Sequence, residues 1–334
     1  MKNIHLPGFW AALIAAFFLA SEVAFAGEIR DDVEDRRYLR CGYEKKILPF
    51  SKKDHLADFA QELCQAFALA LFRDKDALKS VTIPAGEGEA YLQGQRVDLL
   101  MLSPSQKEKP AQLMAAPLIG NRLTVMSLFG QKTAGALAGK RICTLSRPEY
   151  RSGLAVFSQK QQISFSVVAY KTAAELQDSI LKLGCTAVAL PAVELADLRK
   201  AIRRTFPRPH VWETILSGGS LGIVVDTEDR EWLNIARSFG YVLLQAEVLG
   251  LTADNVDNTA AVTRNSVLLT MLGMEGDLGS SLGLDRQWAY RVIQSHGNYG
   301  EIYNRYLGDG KGLVLDKKSE ELLNDESLLT APRL

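Results

Sequence analysis

Between residues 141 and 203 the chain alternates three short apolar runs with three longer amphipathic stretches, and few arrangements can bury such a pattern. "KRICTLS", "SFSVVAY" and "CTAVALP" read as strands; Glu149–Gln159, Thr172–Leu183 and Ala192–Arg203 read as the helices that follow them. A strand apolar at nearly every position has both faces covered, and crossover helices supply that cover. The pattern therefore implies parallel sheets flanked by helices, an α/β class. Upstream, "YLRCGY" (Tyr38–Tyr43), "KSVTIPA", "VDLLMLS" (Val97–Ser103) and "NRLTVMSLFG" (Asn121–Gly130) also read as strands. Leu56, Phe59, Leu63, Phe67 and Leu71 recur near helical spacing across Asp54–Phe72, and "EAYLQGQ" suits a short helix. "VWETIL" and "LGIVVD" add two strands before a long helix (Asp229–Leu249) and a helical C-terminal third. No low-complexity linker separates the two α/β units, so strands passing directly between them are the expected joint.

The first 26 residues do not fit this pattern. "GFWAALIAAFFLA" (Gly8–Ala20) is an apolar run of about a dozen residues, the length of a signal-peptide core. It falls short of the roughly 20 apolar residues that span a bilayer, and "AFA" at Ala24–Ala26 is a small-x-small cleavage pattern. Export to the periplasm with cleavage near Ala26 is expected, with no stable membrane insertion afterwards. The remaining Gly27–Leu334 is long enough for two cores. Removing Lys2 and Glu22 from 39 basic and 39 acidic residues leaves net charge at zero. A neutral chain has no global field to draw in nucleic acid. The basic run "RKAIRRTFPRP" reads as a solvated helix end.

Cys41, Cys64, Cys143 and Cys185 are the only cysteines, and all lie beyond Ala26. An even count in an exported chain points to two disulfides, with three possible pairings that spacing does not choose between. No CxxC or close histidine pair suggests a metal site, and no cofactor motif is present.

"RICTLSRPEY" (Arg141–Tyr150) is a strand end running into a helix start. Ser146 and Glu149 have capping-box spacing and Pro148 suits the first turn, so the turn is expected to be closed by its own side chains. The same N–H groups would otherwise be available to an anion.

"AEVLGLTADNVD" (Ala246–Asp257), "GDLGSSLGLDRQWAYRVIQSHGNYGEIYNRYLG" (Gly276–Gly308) and "LLTAPRL" at the end resemble the general L-amino-acid-binding periplasmic proteins, the solute-binding subunits of polar amino-acid ABC importers. "LRCG", "ELCQAFALALF", "YLQGQRVDLL", "GKRICTLS", "LKLGCTAVAL" and "SLGIVVDTEDREWLNIA" extend the resemblance, in order, over nearly the whole chain. It implies a two-lobed, type II periplasmic binding protein fold: two Rossmann-like lobes joined by crossover strands, with a helical C-terminal segment. Residues 27–126 with 222–334 would form one lobe and 127–221 the other, "LTVMSLFG" and the segment around "GGSLGIVV" crossing between them. It also implies the pairing Cys41–Cys64 and Cys143–Cys185, one bridge per lobe.

At the positions where this resemblance places ligand contacts, the sequence departs from the family. The arginine that clamps a ligand carboxylate falls on Pro110, the aspartate that takes the ammonium falls on Pro191, and the family's Gly-Phe-Asp becomes Asp58-Phe59-Ala60. In the family's Thr-Gly-Thr-Thr turn, Arg147 replaces the glycine and Pro148 the next threonine. Proline carries no charge and donates no N–H. Glu194 lies in the following helix and is not expected to rescue the aspartate. Lys107 or Lys109 is a point-charge substitute for the arginine, without its bidentate fork. The ligand-binding candidates are then Phe50, Ser51, Ser103, Ser105, Lys107, Ser146, Arg147 and Tyr150. Each also has a plain reading: cleft-mouth packing for Phe50 and Ser51, turn formation for Ser103 and Ser105, solvation for Lys107. Trp288, Tyr290, Tyr299, Tyr303 and Tyr306 read as core packing of the C-terminal helices.

The expectation is a periplasmic solute-binding protein that partners an ABC importer permease, binds a less charged solute and has lost its amino-acid clamp. The alternative is an interaction or sensor protein that reuses the fold without a small ligand. Catalysis is not expected, because the matched cleft positions hold no paired carboxylates and no nucleophile–histidine set.

Overall fold

The computed structural model describes residues 29–308, apart from 46–47, 52, 105–111, 218 and 227. The apolar N-terminal run, Ser105, Lys107, Lys109, Pro110 and the terminal "LLTAPRL" lie outside these residues.

A short helix α1 (Ile29–Arg36) precedes β1 (Leu39–Glu44), α2 (His55–Phe72), β2 (Leu78–Ile83), α3 (Gly88–Gln93), β3 (Leu99–Pro104) and β4 (Gln112–Gly120). The chain then forms β5 (Leu123–Ser127), β6 (Arg141–Leu145), α4 (Pro148–Gln161), β7 (Ser166–Tyr170), α5 (Ala173–Leu181), β8 (Ala187–Pro191), α6 (Ala192–Ile202) and β9 (His210–Ser217). It returns through β10 (Ser220–Asp226) to α7 (Arg230–Val248), α8 (Val256–Val262), α9 (Ser266–Met271), α10 (Leu278–Ser281), α11 (Trp288–His296) and α12 (Tyr299–Tyr306).

The strands make two five-stranded sheets, ordered β2-β1-β3-β10-β4 and β7-β6-β8-β5-β9. Strands linked by helices are parallel, as expected: β1 with β2 and β3, β6 with β7 and β8. The sheets are mixed rather than wholly parallel, because β10 runs antiparallel to β3 and β4, and β5 antiparallel to β8 and β9. Those strands enter from the neighbouring sheet with no crossover helix to reverse the chain. Leu123–Ser127, expected to cross between lobes, lies wholly in the second sheet and pairs with β8 at all five positions. The passage itself falls at 121–122 and between β9 and β10. There the Asn121 N–H donates to the Gly219 carbonyl at 2.9 Å. A Cβ at Gly219 would sit 2.8 Å from the Asn121 carbonyl oxygen, so only glycine lets the two passing segments lie this close.

β4 was not expected from the sequence. "QLMAAPLIG" carries Pro117, which argues against a central strand, but β4 is an edge strand, where a missing N–H is tolerated.

Local sequence explains the helices that carry the core. Asp54 caps α2, accepting from the Ala57 N–H at 3.1 Å, and Leu56, Phe59, Leu63 and Phe67 point into the first core. Asp229 caps α7 through the Trp232 N–H at 2.8 Å, and the Trp232 indole N–H donates to the Asp98 carbonyl at 2.8 Å. The C-terminal aromatics pack as expected: Phe59 meets Tyr299, Tyr303 and Tyr306 with ring centroids 6.2, 6.1 and 6.4 Å apart, and Trp288 is buried. The Cys41–Cys64 disulfide ties β1 to α2 and the Cys143–Cys185 disulfide ties β6 to the residues just before β8, the pairing the resemblance implied.

Candidate functional site

The parallel strands of both sheets end at one place. Glu44 closes β1, Ser103 and Pro104 close β3, Arg147 and Lys171 follow β6 and β7, and Pro191 ends β8. All of these line a single cavity of about 740 Å³ whose walls come from both sheets. Open α/β sheets form a crevice outside the carboxyl ends of their strands, and here two such crevices face each other.

On the first-sheet side, Glu44 accepts from the Gly86 N–H at 3.0 Å. A Cβ at Gly88 would lie 2.8 Å from Glu44 Oε1, so the glycine leaves room for that carboxylate. Glu89 on α3 and the buried Ser103 complete this wall. On the second-sheet side the cavity meets the N-terminal ends of α4, α5 and α6, where backbone N–H groups and helix dipoles favour negative charge. Asn121, from the passing segment, caps α6 by accepting from the Val193 N–H at 3.2 Å. Thr172 and Glu175 close α5 with a reciprocal capping box.

The start of α4 differs from expectation. Arg147, not Ser146, is its N-cap residue, and no side chain bonds to the cap. The proposed Ser146–Glu149 box does not form. Pro148 at the first helical position shifts the cap by one residue, which puts Ser146 out of reach of the first-turn amides. The turn is therefore not closed by its own side chains, and Ser146, Arg147, Glu149 and Tyr150 all line the cavity.

Arg147, Tyr150 and Glu194 form a compact set. The Arg147 guanidinium carbon lies 5.5 Å from the centre of the Tyr150 ring, within cation–π range. The Tyr150 hydroxyl donates to Glu194 Oε1 at 3.2 Å. Glu194 is 7% exposed, and its Oε2 is buried with no hydrogen-bond partner among the described residues. Burial raises its carboxyl to about 7, against the opposing pull of the Arg147 charge and the Tyr150 hydrogen bond, with Asp197 and Glu149 adding to the rise. Tyr150 is itself pushed up, first by burial and then by the Glu194 charge. Glu194 sits in the first turn of α6, immediately after β8, rather than deep in the helix, which is why it reaches the cavity at all.

A second contact joins the two sheets without lining the cavity. Asp197, one turn further along α6, accepts from the Phe50 N–H at 2.7 Å, the Ser51 N–H at 3.2 Å and the Ser51 hydroxyl. Phe50 packs against the core of the second sheet. These two candidates thus connect the segment after β1 to α6 on the second sheet.

Of the sequence-predicted site residues, Ser103, Ser146, Arg147 and Tyr150 come together at the cavity, Phe50 and Ser51 lie beside it, and Ser105 and Lys107 fall outside the described residues. Pro191 lines the cavity, so the position where the resemblance sets an aspartate is uncharged. The cavity is nevertheless charged, with Arg147 and Lys171 against Glu44, Glu89, Glu149 and Glu194. Sequence reasoning missed Glu44, Glu89, Asn121, Lys171 and Glu194. The available signal was position: Glu44, Lys171 and Glu194 fall within a few residues of a parallel strand's carboxyl end.

No protein-family model matches the sequence. The chain is 28% identical over 334 residues to the glutamate/glutamine/aspartate/asparagine-binding protein BztA of Rhodobacter capsulatus, covering 96% of each. It is 27% identical over 344 residues to the general L-amino acid-binding periplasmic protein AapJ of Rhizobium johnstonii, covering 99% of each. Among solved structures it is similar to an ABC transporter periplasmic binding protein from Brucella ovis with glutathione bound. That match has 25% identity and a TM-score of 0.71, over 86% of this chain and 93% of the other. Over nearly its whole length the chain is similar to the amino-acid ABC transporter solute-binding protein family. This family is one of binding proteins rather than enzymes, and in its fold the cavity between the sheets is the place to look for a ligand.

Proposed function

We propose that this solute-binding protein works in the periplasm as the ligand-delivering subunit of an amino-acid-type ABC importer, cleaved near Ala26 before it folds. Its two sheets are the cores of two lobes, hinged at the passing segments near residues 121 and 219, that close around the solute and present it to a permease. Its specificity is altered: the solute is amino-acid-derived but larger than a free amino acid.

The observation that carries this reading is the cavity of about 740 Å³ with Arg147 and Glu194 on one wall. Ligand pockets of this order hold molecules well beyond a single residue. Buried charges of both signs suit an amino-acid-derived ligand, since each needs a partner once water is excluded. Pro191 supports the change in specificity by removing charge at the position the resemblance assigns to the ammonium. The Brucella ovis relative, with a tripeptide bound, is consistent with a ligand of that size.

Native mass spectrometry of the protein isolated from the periplasm tests this. A co-purifying adduct of peptide-like mass, lost in an Arg147→Ala variant, is expected. An adduct of the mass of one unmodified amino acid contradicts the altered specificity. The reading of a fold reused as an interaction surface predicts no adduct and no saturable small ligand. It is favoured only by the Asp197 bridge, which joins the lobes through the protein's own groups.

A further inference from the structure

We infer that the end of the second sheet remote from the cavity is a docking surface for an anionic lipid bilayer, which it touches reversibly. This face is distinct from the cavity and serves whether or not a solute binds there.

The topology gathers the face. β5 runs antiparallel to β8, from Leu123 opposite Pro191 at the cavity to Ser127 opposite Ala187 at the other end. Ser127 also stands opposite His210, the first residue of β9, and Arg141, the first of β6, stands opposite Ser166, the first of β7. The segments after Ser127 and before Arg141 and His210 therefore leave the sheet at its remote end. The C-terminal ends of α5 and α6 lie there too, because both helices start at the cavity.

Charge is sorted between the two ends. Residues 127–217 hold 13 basic and six acidic side chains, in a chain with 39 of each. Glu149 and Glu194 line the cavity, Glu175 caps the start of α5 and Asp197 takes the Phe50 and Ser51 donors. Asp178 is paired with Lys182 at 2.8 Å, and Glu213 stands within β9. At the remote end Lys132, Lys140, Arg203, Arg204 and Arg208 are all exposed. No acidic side chain among the described residues pairs with any of the five. A cluster of one sign on an otherwise neutral chain makes a local field that attracts the opposite charge.

Large apolar side chains stand among these cations. Phe129 is 54% exposed, held edge-to-face on the buried Phe206 ring with centroids 5.6 Å apart, within the basic run itself. Leu181 and Leu183, at the end of α5, are 43% and 63% exposed. Phe129 follows β5, whereas α5 packs on β6 and β7, so the aromatic and the leucines sit on opposite flanks and form no single groove for a peptide. A bilayer surface fits such a scatter: its phosphates take the cations, and its headgroup layer takes separate aromatic and leucine side chains.

Co-sedimentation of the full mature chain with vesicles tests this, using phosphatidylcholine alone and phosphatidylcholine with about one-third phosphatidylglycerol. At low salt, partition onto the anionic vesicles is expected to be at least about tenfold stronger than onto the neutral ones, and about 0.5 M salt should abolish most of that difference. Arg203→Glu with Arg204→Glu should weaken it about tenfold or more, and Phe129→Ser several-fold. Lys75→Glu with Lys79→Glu makes the same change of net charge at exposed positions beside the first sheet and should leave it unchanged. The salt series on wild type does not depend on how any variant folds. Equal binding to neutral vesicles, or an equal loss in the Lys75 and Lys79 variant, overturns the inference. So does a protein that stays in the supernatant with every vesicle, the result expected if the face instead serves an acidic protein or a second copy of the chain.

Discussion

The Phe50 N–H and the Asp197 carboxylate meet at 2.7 Å across 147 residues of chain, one on the loop after β1 and the other on α6. With the two Ser51 donors, this carboxylate takes three hydrogen bonds from the opposite lobe while it is wholly buried. Bonds to a charged acceptor contribute about 1.5–3 kcal/mol each, so under the proposed two-lobe reading the bridge favours a closed arrangement before any solute arrives. Asp197→Ala is expected to shift the ligand-free protein toward the open form by at least about tenfold. Small-angle scattering should read this as a larger radius of gyration, and an unchanged radius would remove the bridge from the account.

Glu194 makes stability depend on pH in an unusual direction. Its folded carboxyl stands near 7, above the usual carboxylate range, chiefly through burial. The folded state therefore holds a proton that the unfolded chain releases, and stability falls as pH rises from about 4.5 to 7. At a full shift of that size the ionised form costs up to about 3 kcal/mol. Arg147, Tyr150, Asp197 and Glu149 are the groups that act on this carboxyl. Glu194→Gln should flatten the fall in urea-melt stability over this range, whereas an unchanged slope places the proton elsewhere.

Glu62 works in the opposite sense. Burial alone would raise it, but hydrogen bonds from His296, Arg305 and Tyr306 bring it down to about 2. Its contribution is present above the usual carboxylate value and is lost as pH falls from about 4.5 toward 2. Because it ties α2 to α11 and α12, acid should loosen the C-terminal helices first. Hydrogen exchange on those helices should rise at pH 3 in wild type and already at neutral pH in Glu62→Gln.

The disulfides close loops of 23 and 42 residues in sequence separation. Chain-entropy reasoning gives about 3–4 kcal/mol for loops of this length. Cys143→Ser with Cys185→Ser should lower the melting temperature by several degrees, about 2–4 °C per kcal/mol in a domain of this size. Peptide mapping without reduction should recover the same two pairs, and a Cys41–Cys143 link would overturn the lobe assignment.

Much of the fold was legible because apolar runs and helical spacing report burial directly. The strands after Tyr38, Val97, Arg141 and Cys185 and the helices α2, α4, α5, α6 and α7 appear close to where the pattern sets them. β4 was not legible, since Pro117 is allowed there only by the edge position, which depends on strand order. The site was half legible. Arg147 and Tyr150 were found because they follow a strand. Their setting was misread, because the capping-box spacing of Ser146 and Glu149 is outcompeted by Pro148 at the first helical position. Glu194 was set aside because the sequence does not show that the first turn of α6 faces the cavity together with Pro191.

The central claim is that the charges needed to hold a free amino acid have moved, so that the cleft takes something larger. Calorimetric titration of the mature protein with each of the twenty amino acids tests it most directly. The account predicts no saturable heat at concentrations up to about a millimolar, while a peptide-sized amine binds. Micromolar affinity for any single unmodified amino acid would contradict it.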